Sequence, residues 1–296
     1  MRPCIVAVSA LAAVLFCIRA QAQDAKLPAA VTQQIQQRIA ASHAEVAVAF
    51  RMLDGSHEYF FNADDSFHAA STMKIPVMIE LFHQVKEGKL RFDDPLVIHN
   101  EFHSIVDGSV YKLDPAVDSE TDLYKAEGQT RTLRQLCDLM ITVSSNLATN
   151  LMIEKLGVEN IRATVHSLDA DGMHVLRGVE DQKAFDKGLN NTTTARALLQ
   201  LLAAIAQGKA VDAESSRQMV EILEHQKFNE GIPSGLPPGT RVAHKTGDIT
   251  RIHHDAAIVY APKPFVLVIL VRDLEPEKDN YALMGDLARI LYQATE

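Results

Sequence analysis

Cysteine is scarce in this chain: three among 296 residues, and two of them fall in a stretch whose composition marks it for removal. Met1-Arg2-Pro3 is followed by an apolar run from Cys4 to Ile18 and by Ala20-Gln21-Ala22, a basic start, a hydrophobic segment and a small-x-small cleavage site. Residues 1–22 therefore read as a signal peptide. With Cys4 and Cys17 gone, Cys137 is alone and an internal disulfide is excluded. Long hydrophobic runs are lacking too. Arg19 closes the first one short of the roughly 20 apolar residues a membrane span needs, and Cys17 follows Phe16 rather than the small residue that lipid attachment requires. A processed chain free of the membrane, periplasmic or secreted, is expected. Positive charge is also short. With Arg2 and Arg19 set aside, 27 basic residues face 38 acidic ones, a net charge of −11. That balance argues against nucleic acid as a partner, because phosphate binding is driven by clustered Lys and Arg. No repeat, low-complexity run or flexible linker interrupts the remainder.

What is present is an ordinary globular mixture, 47% hydrophobic and 23% charged. Residues 28–41 carry Ile35 and Ile39 four apart; Glu45 to Leu53 alternates Val46, Val48 and Phe50 before an Asp54-Gly55 turn. This predicts helix, strand and hairpin. At the far end, Ala256 to Tyr260 and Phe265 to Val271 are apolar runs separated by Pro262 and Pro264, followed by Leu283, Leu287, Ile290 and Leu291 at helical spacing. The middle is helical in residues 75–85, 133–141, 147–155 and 195–205, with little that alternates like a strand. Thr132-Leu133-Arg134-Gln135 reads as a capping box. The expected fold class is α/β, an α+β sandwich: an antiparallel sheet built from both termini with flanking helices, plus an inserted all-helical lobe. One domain over 23–296 is expected, its α/β lobe at about 23–65 and 240–296 and its helical lobe at about 66–239, with the site in the cleft between them.

Three short elements carry chemistry. Ser71-Thr72-Met73-Lys74 stands where a polar stretch gives way to a helix bearing Ile75, Met78, Leu81, Phe82 and Val85. Ser71 is expected to cap that helix. Lys74 sits one turn on, so its ammonium can return to the hydroxyl and act as a base if burial and nearby positive charge lower its pKa. A second Ser-x-x-Lys, Ser109 to Lys112, lies between Asp107-Gly108 and Asp114-Pro115, opens no helix and is taken as chance. Ser144-Ser145-Asn146 forms an interhelical corner, where one serine can cap the following helix or a hydroxyl and an amide can face a cleft. Lys245-Thr246-Gly247 lies in an extended segment, where a cation and a hydroxyl suit a carboxylate and glycine admits substrate to the strand edge.

Taken together and in this order, the three elements resemble the signature of penicillin-recognising serine enzymes, and over roughly residues 28–294 the chain resembles a class A β-lactamase. The resemblance implies that Ser71 is the acylated nucleophile, Lys74 its proton partner, and Ser144 a relay to the leaving lactam nitrogen. It implies that Asn146 holds the substrate's side-chain amide, that Lys245 and Thr246 bind its carboxylate, with Gly247 beside them, and that the N–H groups of Ser71 and Asp248 form an oxyanion hole. Asn191-Thr192-Thr193-Thr194 resembles the segment that closes a loop beneath the site. Within that loop Glu180 is the expected deacylating base, with Asp181 and Asp186 as competitors. The substrate implied is a small β-lactam, with no cofactor, and the chain is expected to be a monomer.

The pattern departs from the family in four places. Its usual Glu-x-x-Leu-Asn is absent around Glu180, Ser145 replaces the aspartate of Ser-Asp-Asn, and Met78 stands where some members have a cysteine facing Cys137. The basic residue usual on the strand after Lys-Thr-Gly is missing, leaving His253 or Arg251 to supply a charge. Other readings remain open: a D-alanyl-D-alanine carboxypeptidase or penicillin-binding protein with the same Ser71 and Lys74, a non-catalytic periplasmic binding module, or a metalloenzyme. Against metal, His253-His254-Asp255 offers at most His253 and Asp255 to one strand face, and His57-Glu58 lacks the second histidine of a zinc-protease helix.

Overall fold

The computed structural model describes residues 26–295; the stretch read as a signal peptide lies outside the described residues. Strand β1 (Glu45–Met52) turns into β2 (Glu58–Phe61), and the far end of the chain supplies β9 (Arg241–Ile249), β10 (Ile252–Tyr260) and β11 (Phe265–Arg272). They form one antiparallel sheet in the order β2-β1-β11-β10-β9. The two ends of the chain meet at its centre, where β1 and β11 pair from Glu45↔Arg272 to Met52↔Phe265. Along β11 every residue from Phe265 to Val271 is buried, whichever face its side chain takes, as the β-branched composition of a covered central strand requires.

One face of the sheet is closed by α1 (Ala29–Ala40) and α9 (Glu277–Gln293), whose Ile35, Ile39, Leu283, Leu287 and Leu291 pack on Val46, Val48, Phe50, Leu267 and Ile269. Each such side chain contributes about 2 kcal/mol on burial. The other face, with Ala47, Ala49, Ile258 and Val268, belongs to a larger core shared with the helical region. That region contains α2 (Lys74–Lys86), α3 (Leu133–Thr142), α4 (Asn146–Leu156), α5 (Val158–Ser167), α6 (Gln182–Asp186), α7 (Ala195–Ala206) and α8 (Ala213–Glu224). Helix α2 is buried along nearly its whole length between α3, α4 and α5, while α7 lies against β1, β10 and β11. The capping box at Thr132 and Gln135 is formed.

The middle of the chain holds more strand than its sequence announces. Phe67–His68 (β3) pairs with Thr192–Thr193 (β8), Pro95–Val97 (β4) with Thr130–Thr132 (β7), and Phe102–His103 (β5) with Val110–Tyr111 (β6). Pieces of two or three residues are too short to show an alternating pattern. The β3–β8 pair ties the approach to Ser71 to the segment that ends the loop carrying Glu180.

Candidate active site

Strand β9 is an edge of the sheet, and the turn carrying Ser71 lies against it. A Cβ on Gly247 would stand 3.2 Å from the backbone nitrogens of both Ser71 and Thr72 and 3.1 Å from the Thr72 methyl. The glycine therefore lets β9 and the turn approach each other, a use beyond the substrate access expected of it. Ser71 was expected to cap α2. It does not, because α2 begins at Lys74 and Ala70–Met73 form a 3₁₀ turn with no side-chain cap. Capping needs a residue in extended geometry just before the helix, whereas Ser71 is inside a helical turn. The turn is held instead by Thr72, whose hydroxyl donates to Ala69 O at 2.6 Å, and by Ala70, which sits at φ 45° and donates its N–H to His68 Nδ1 at 3.0 Å.

Lys74 is fully buried. Its ammonium donates to Ser144 O at 2.7 Å, Asn146 Oδ1 at 3.0 Å and Ser144 Oγ at 3.1 Å, so among the described residues its partners are at the α3–α4 corner rather than the Ser71 hydroxyl. Burial, and then the charge of Lys245, hold its pKa well below that of an ordinary lysine, against the opposing pull of Asp118 and Glu180. Lys245 is also fully buried. It reaches the same hydroxyl, Ser144 Oγ, at 3.0 Å and its neighbour Thr246 O at 2.9 Å, and burial brings its pKa down to about 8 despite Asp248 and Asp255. Both readings of the corner hold, on different serines. Ser145 caps α4, accepting from Ala148 N, while Ser144, at φ 60°, turns its hydroxyl to the two lysines.

Asn146 joins this cluster to the loop beneath. Its Oδ1 faces the Lys74 ammonium and its Nδ2 donates to Glu180 Oε1 at 2.9 Å; the reverse orientation would set like against like at both ends. Glu180 Oε2 accepts the Asp114 N–H at 3.1 Å, and the half-buried carboxyl has its pKa raised, chiefly by burial. Ala70, Ser144 and Glu180 are non-glycine residues at positive φ that converge here, the kind of stored strain that functional sites carry. The loop is closed by Asn191, whose Oδ1 accepts from Leu176 N and Arg177 N, and pinned from above by Asn150, which bonds both N–H and C=O of Val179. Gly178 passes so close that a Cβ would lie 2.6 Å from Asn150 Oδ1.

The cleft above these residues has two parts, of about 330 and 250 Å³, and Ser71, Asn146 and Asp248 line both. Phe185 and Ile249 give the loop side an apolar rim. On the strand side His253 Nδ1 meets Asp248 Oδ1 at 2.9 Å, and the carboxylate raises the imidazole's pKa.

Likeness to known proteins bears on this geometry directly: residues 30–295 match the profile of the beta-lactamase enzyme family. The chain belongs to the β-lactamase enzyme family. It is a penicillin-recognising serine hydrolase, as its three motifs imply. A β-lactamase of Bacillus licheniformis is 27% identical over 170 residues, a segment spanning 55% of this chain and 55% of that enzyme. The crystal structure of a β-lactamase from Sphaerobacter thermophilus superposes with a TM-score of 0.77 at 26% identity, covering 90% of this chain and 96% of that one. A structure of PBP-A matches as well, with a TM-score of 0.77 at 26% identity over 91% of this chain and 98% of its own.

In this β-lactamase family member the structure brings together Ser71, Lys74, Ser144, Asn146, Glu180, Lys245, Thr246, Gly247 and Asp248 around one cleft. Of the competitors to Glu180, Asp181 is buried and committed to Ser104, Ile105 and Ala184, and Asp186 is exposed and bonded to Gln182. His253 and Asp255 do not converge: Asp255 pairs with His244 at 2.9 Å, away from the His253–Asp248 pair. Arg251 pairs with Asp273. The second Ser-x-x-Lys is dispersed, Ser109 bonding Asp107 and Lys112 bonding Glu101. Sequence reasoning missed Asp118 and Asn150. Asn150 could have been suspected as an amide within the largely apolar stretch Leu147–Ile153 of α4; Asp118, in an irregular loop, carried no such signal.

Proposed function

We propose that this chain hydrolyses β-lactams through an acyl-enzyme on Ser71, exported by its N-terminal segment with cleavage after Ala22 and acting as a monomer. Among the described residues no helix is long and apolar enough to cross a membrane. The catalytic unit is residues 23–296, its cleft lying between an α/β lobe at about 23–65 and 240–296 and a helical lobe at about 66–239.

The observation that carries the reading is the sharing of Ser144 Oγ by two buried lysines. A hydroxyl oxygen has two lone pairs and one proton. Once Lys74 is protonated, both lone pairs are taken by lysines and the Ser144 proton is directed outward, as a donor to a leaving nitrogen needs. Lys74 gives two N–H groups to carbonyl oxygens, of Ser144 and of the Asn146 side chain, so the third position on its nitrogen is the one that changes between proton and lone pair. In the neutral state favoured by burial, Lys74 takes the Ser71 proton as Ser71 Oγ attacks the lactam carbonyl carbon. The carbonyl oxygen gains its negative charge facing the N–H groups of Ser71 and Asp248. As the C–N bond breaks, Ser144 protonates the nitrogen and recovers a proton from Lys74. Lys245 and Thr246 hold the substrate carboxylate, with Gly247 admitting it to the strand edge, and Asn146 holds the acyl side chain's amide. Glu180 then takes a proton from water, the water oxygen attacks the ester carbon, and Ser71 leaves with that proton.

The likeness to PBP-A supports a second reading, a peptidase or penicillin-binding protein with the same acylation step and slow deacylation. Residues 23–296 mixed with a chromogenic cephalosporin, followed by absorbance and intact mass, separate the two. Sustained turnover with little adduct supports the β-lactamase; a stoichiometric burst leaving a stable adduct supports the peptidase. Absence of both, or labelling that survives Ser71→Ala, would overturn serine acylation altogether.

A further inference from the structure

Ser145 stands where the family motif has an acid, yet the corner does not lack a carboxylate. Asp118, in the loop after the 3₁₀ turn Pro115–Val117, is buried against it. Its Oδ2 accepts the N–H groups of Asn146 and Leu147 at 2.9 Å each and the Tyr124 hydroxyl at 2.8 Å, with Ser145 Oγ 3.4 Å away. Its Oδ1 accepts the Glu120 N–H at 3.1 Å. Asn146 and Leu147 open α4, where backbone N–H groups have no partner within the helix and the helix dipole favours negative charge. The neighbouring Ser119 hydroxyl bonds the Val143 carbonyl, so the loop is tied to the corner on both sides of Ser144 and Ser145.

We infer that Asp118 is a positioning residue for the reaction at Ser71: its carboxylate supplies, from a neighbouring loop, the acid absent at Ser145, and so holds Ser144 and Asn146 in contact with Lys74. The inference rests on the serine-acylation reading. Every Lys74 hydrogen bond named above ends on Ser144 or Asn146, the two residues flanking Ser145. A corner released from Asp118 would lose the geometry of all three together. The requirement is for a carboxylate against the first turn of α4, from either side. Aspartate is as good an N-cap as serine, so a side chain at position 145 can meet it as well as one at 118. Both at once would set two carboxylates where Ser145 Oγ and Asp118 Oδ2 now lie 3.4 Å apart, and like charges so close resist joint ionisation. Asp118 also faces the Lys74 charge, together with Glu180 as a second attraction and Lys245 as a repulsion.

The test is a cycle of Asp118→Ser, Ser145→Asp and the exchange of the two, with Asp118→Asn as the isosteric variant. Melting temperature, the rate of covalent labelling by a penicillin across pH, and the amide proton shifts of Asn146 and Leu147 are read for each. Labelling of the parent comes first; if the parent does not label, the serine reading fails and the amide shifts alone decide the placement of the carboxylate. Each single substitution is expected to slow labelling about tenfold or more, the exchange to restore it to within about threefold, a coupling outside simple additivity. In Asp118→Asn the acid limb of the labelling rate should move to lower pH, since a lysine deprived of a neighbouring anion loses its proton more readily; the exchange should move it back. Unchanged labelling and pH profile in a folded Asp118→Asn, or an exchange no faster than the slower single variant, would overturn the inference. If the singles do not fold, recovery of a folded, labelling protein in the exchange supports it and failure to recover overturns it.

Discussion

Lys74 and Lys245, both fully buried, donate to one hydroxyl oxygen, Ser144 Oγ, from 3.1 and 3.0 Å. Two cations this close and this far from water would repel strongly; that repulsion and burial favour the neutral form of Lys74, against the pull of Asp118 and Glu180, while Asp248 and Asp255 favour the charge on Lys245. The hydroxyl between them is thereby placed and polarised at once.

Ser144→Ala removes the shared acceptor and the proton donor together. Acylation by a penicillin is expected to slow by about 10²- to 10⁴-fold, the usual worth of a positioned acid, while the protein still melts cooperatively because Ser145 remains as the α4 cap. Stopped-flow labelling checks this; a rate within about threefold of the parent would remove Ser144 from the proton path.

Glu180→Gln is expected to leave labelling intact and to trap the adduct, because an amide cannot accept a proton from water. In the parent, burial raises the Glu180 pKa above the ordinary glutamate value. Its base form is present above that pKa and lost as pH falls through it, so deacylation should fail on acidification at a higher pH than an ordinary glutamate would set. Intact mass against time gives both results, and normal turnover in Glu180→Gln would show the base to be misassigned.

Lys245 carries its charge below a pKa of about 8 and loses it above. KM for a substrate bearing a carboxylate is therefore expected to rise as pH passes through about 8, whereas an uncharged ester of the same substrate should show no such rise. Steady-state kinetics on the pair decide it; parallel profiles would place carboxylate recognition elsewhere.

Cys137 is fully buried and its thiol pKa is pushed far up by that burial. A thiol reagent should leave native residues 23–296 unmodified and titrate one equivalent after unfolding, since the thiolate is the reactive form. Rapid labelling of the folded protein would show that the helical core opens at α3.

Much of the fold was legible because it is locally encoded. The apolar runs at 256–260 and 265–271 and the three-and-four spacing of 133–141 report burial whatever their eventual partners, and Thr132 with Gln135 is a complete local cap. The extent of α2 was legible but its first turn was not: a 3₁₀ start and a capped α start differ in backbone angles that Ser71-Thr72-Met73 does not dictate. The two-residue strands were invisible for want of length.

The order and spacing of Ser71, Lys74, Ser144, Asn146 and Lys245 can be read along the chain, and with them the family and the class of chemistry, because those residue types are fixed by the bonds they must make and break. Which of them touch cannot be read there. That Lys74 and Lys245 share Ser144, that Asn146 bridges Lys74 to Glu180, and that Asp118 lies against the first turn of α4 beside Ser145 are contacts between segments far apart in the chain. They arise from how the corner, the loop and the sheet edge dock, and no local periodicity along a chain records a distance across a fold.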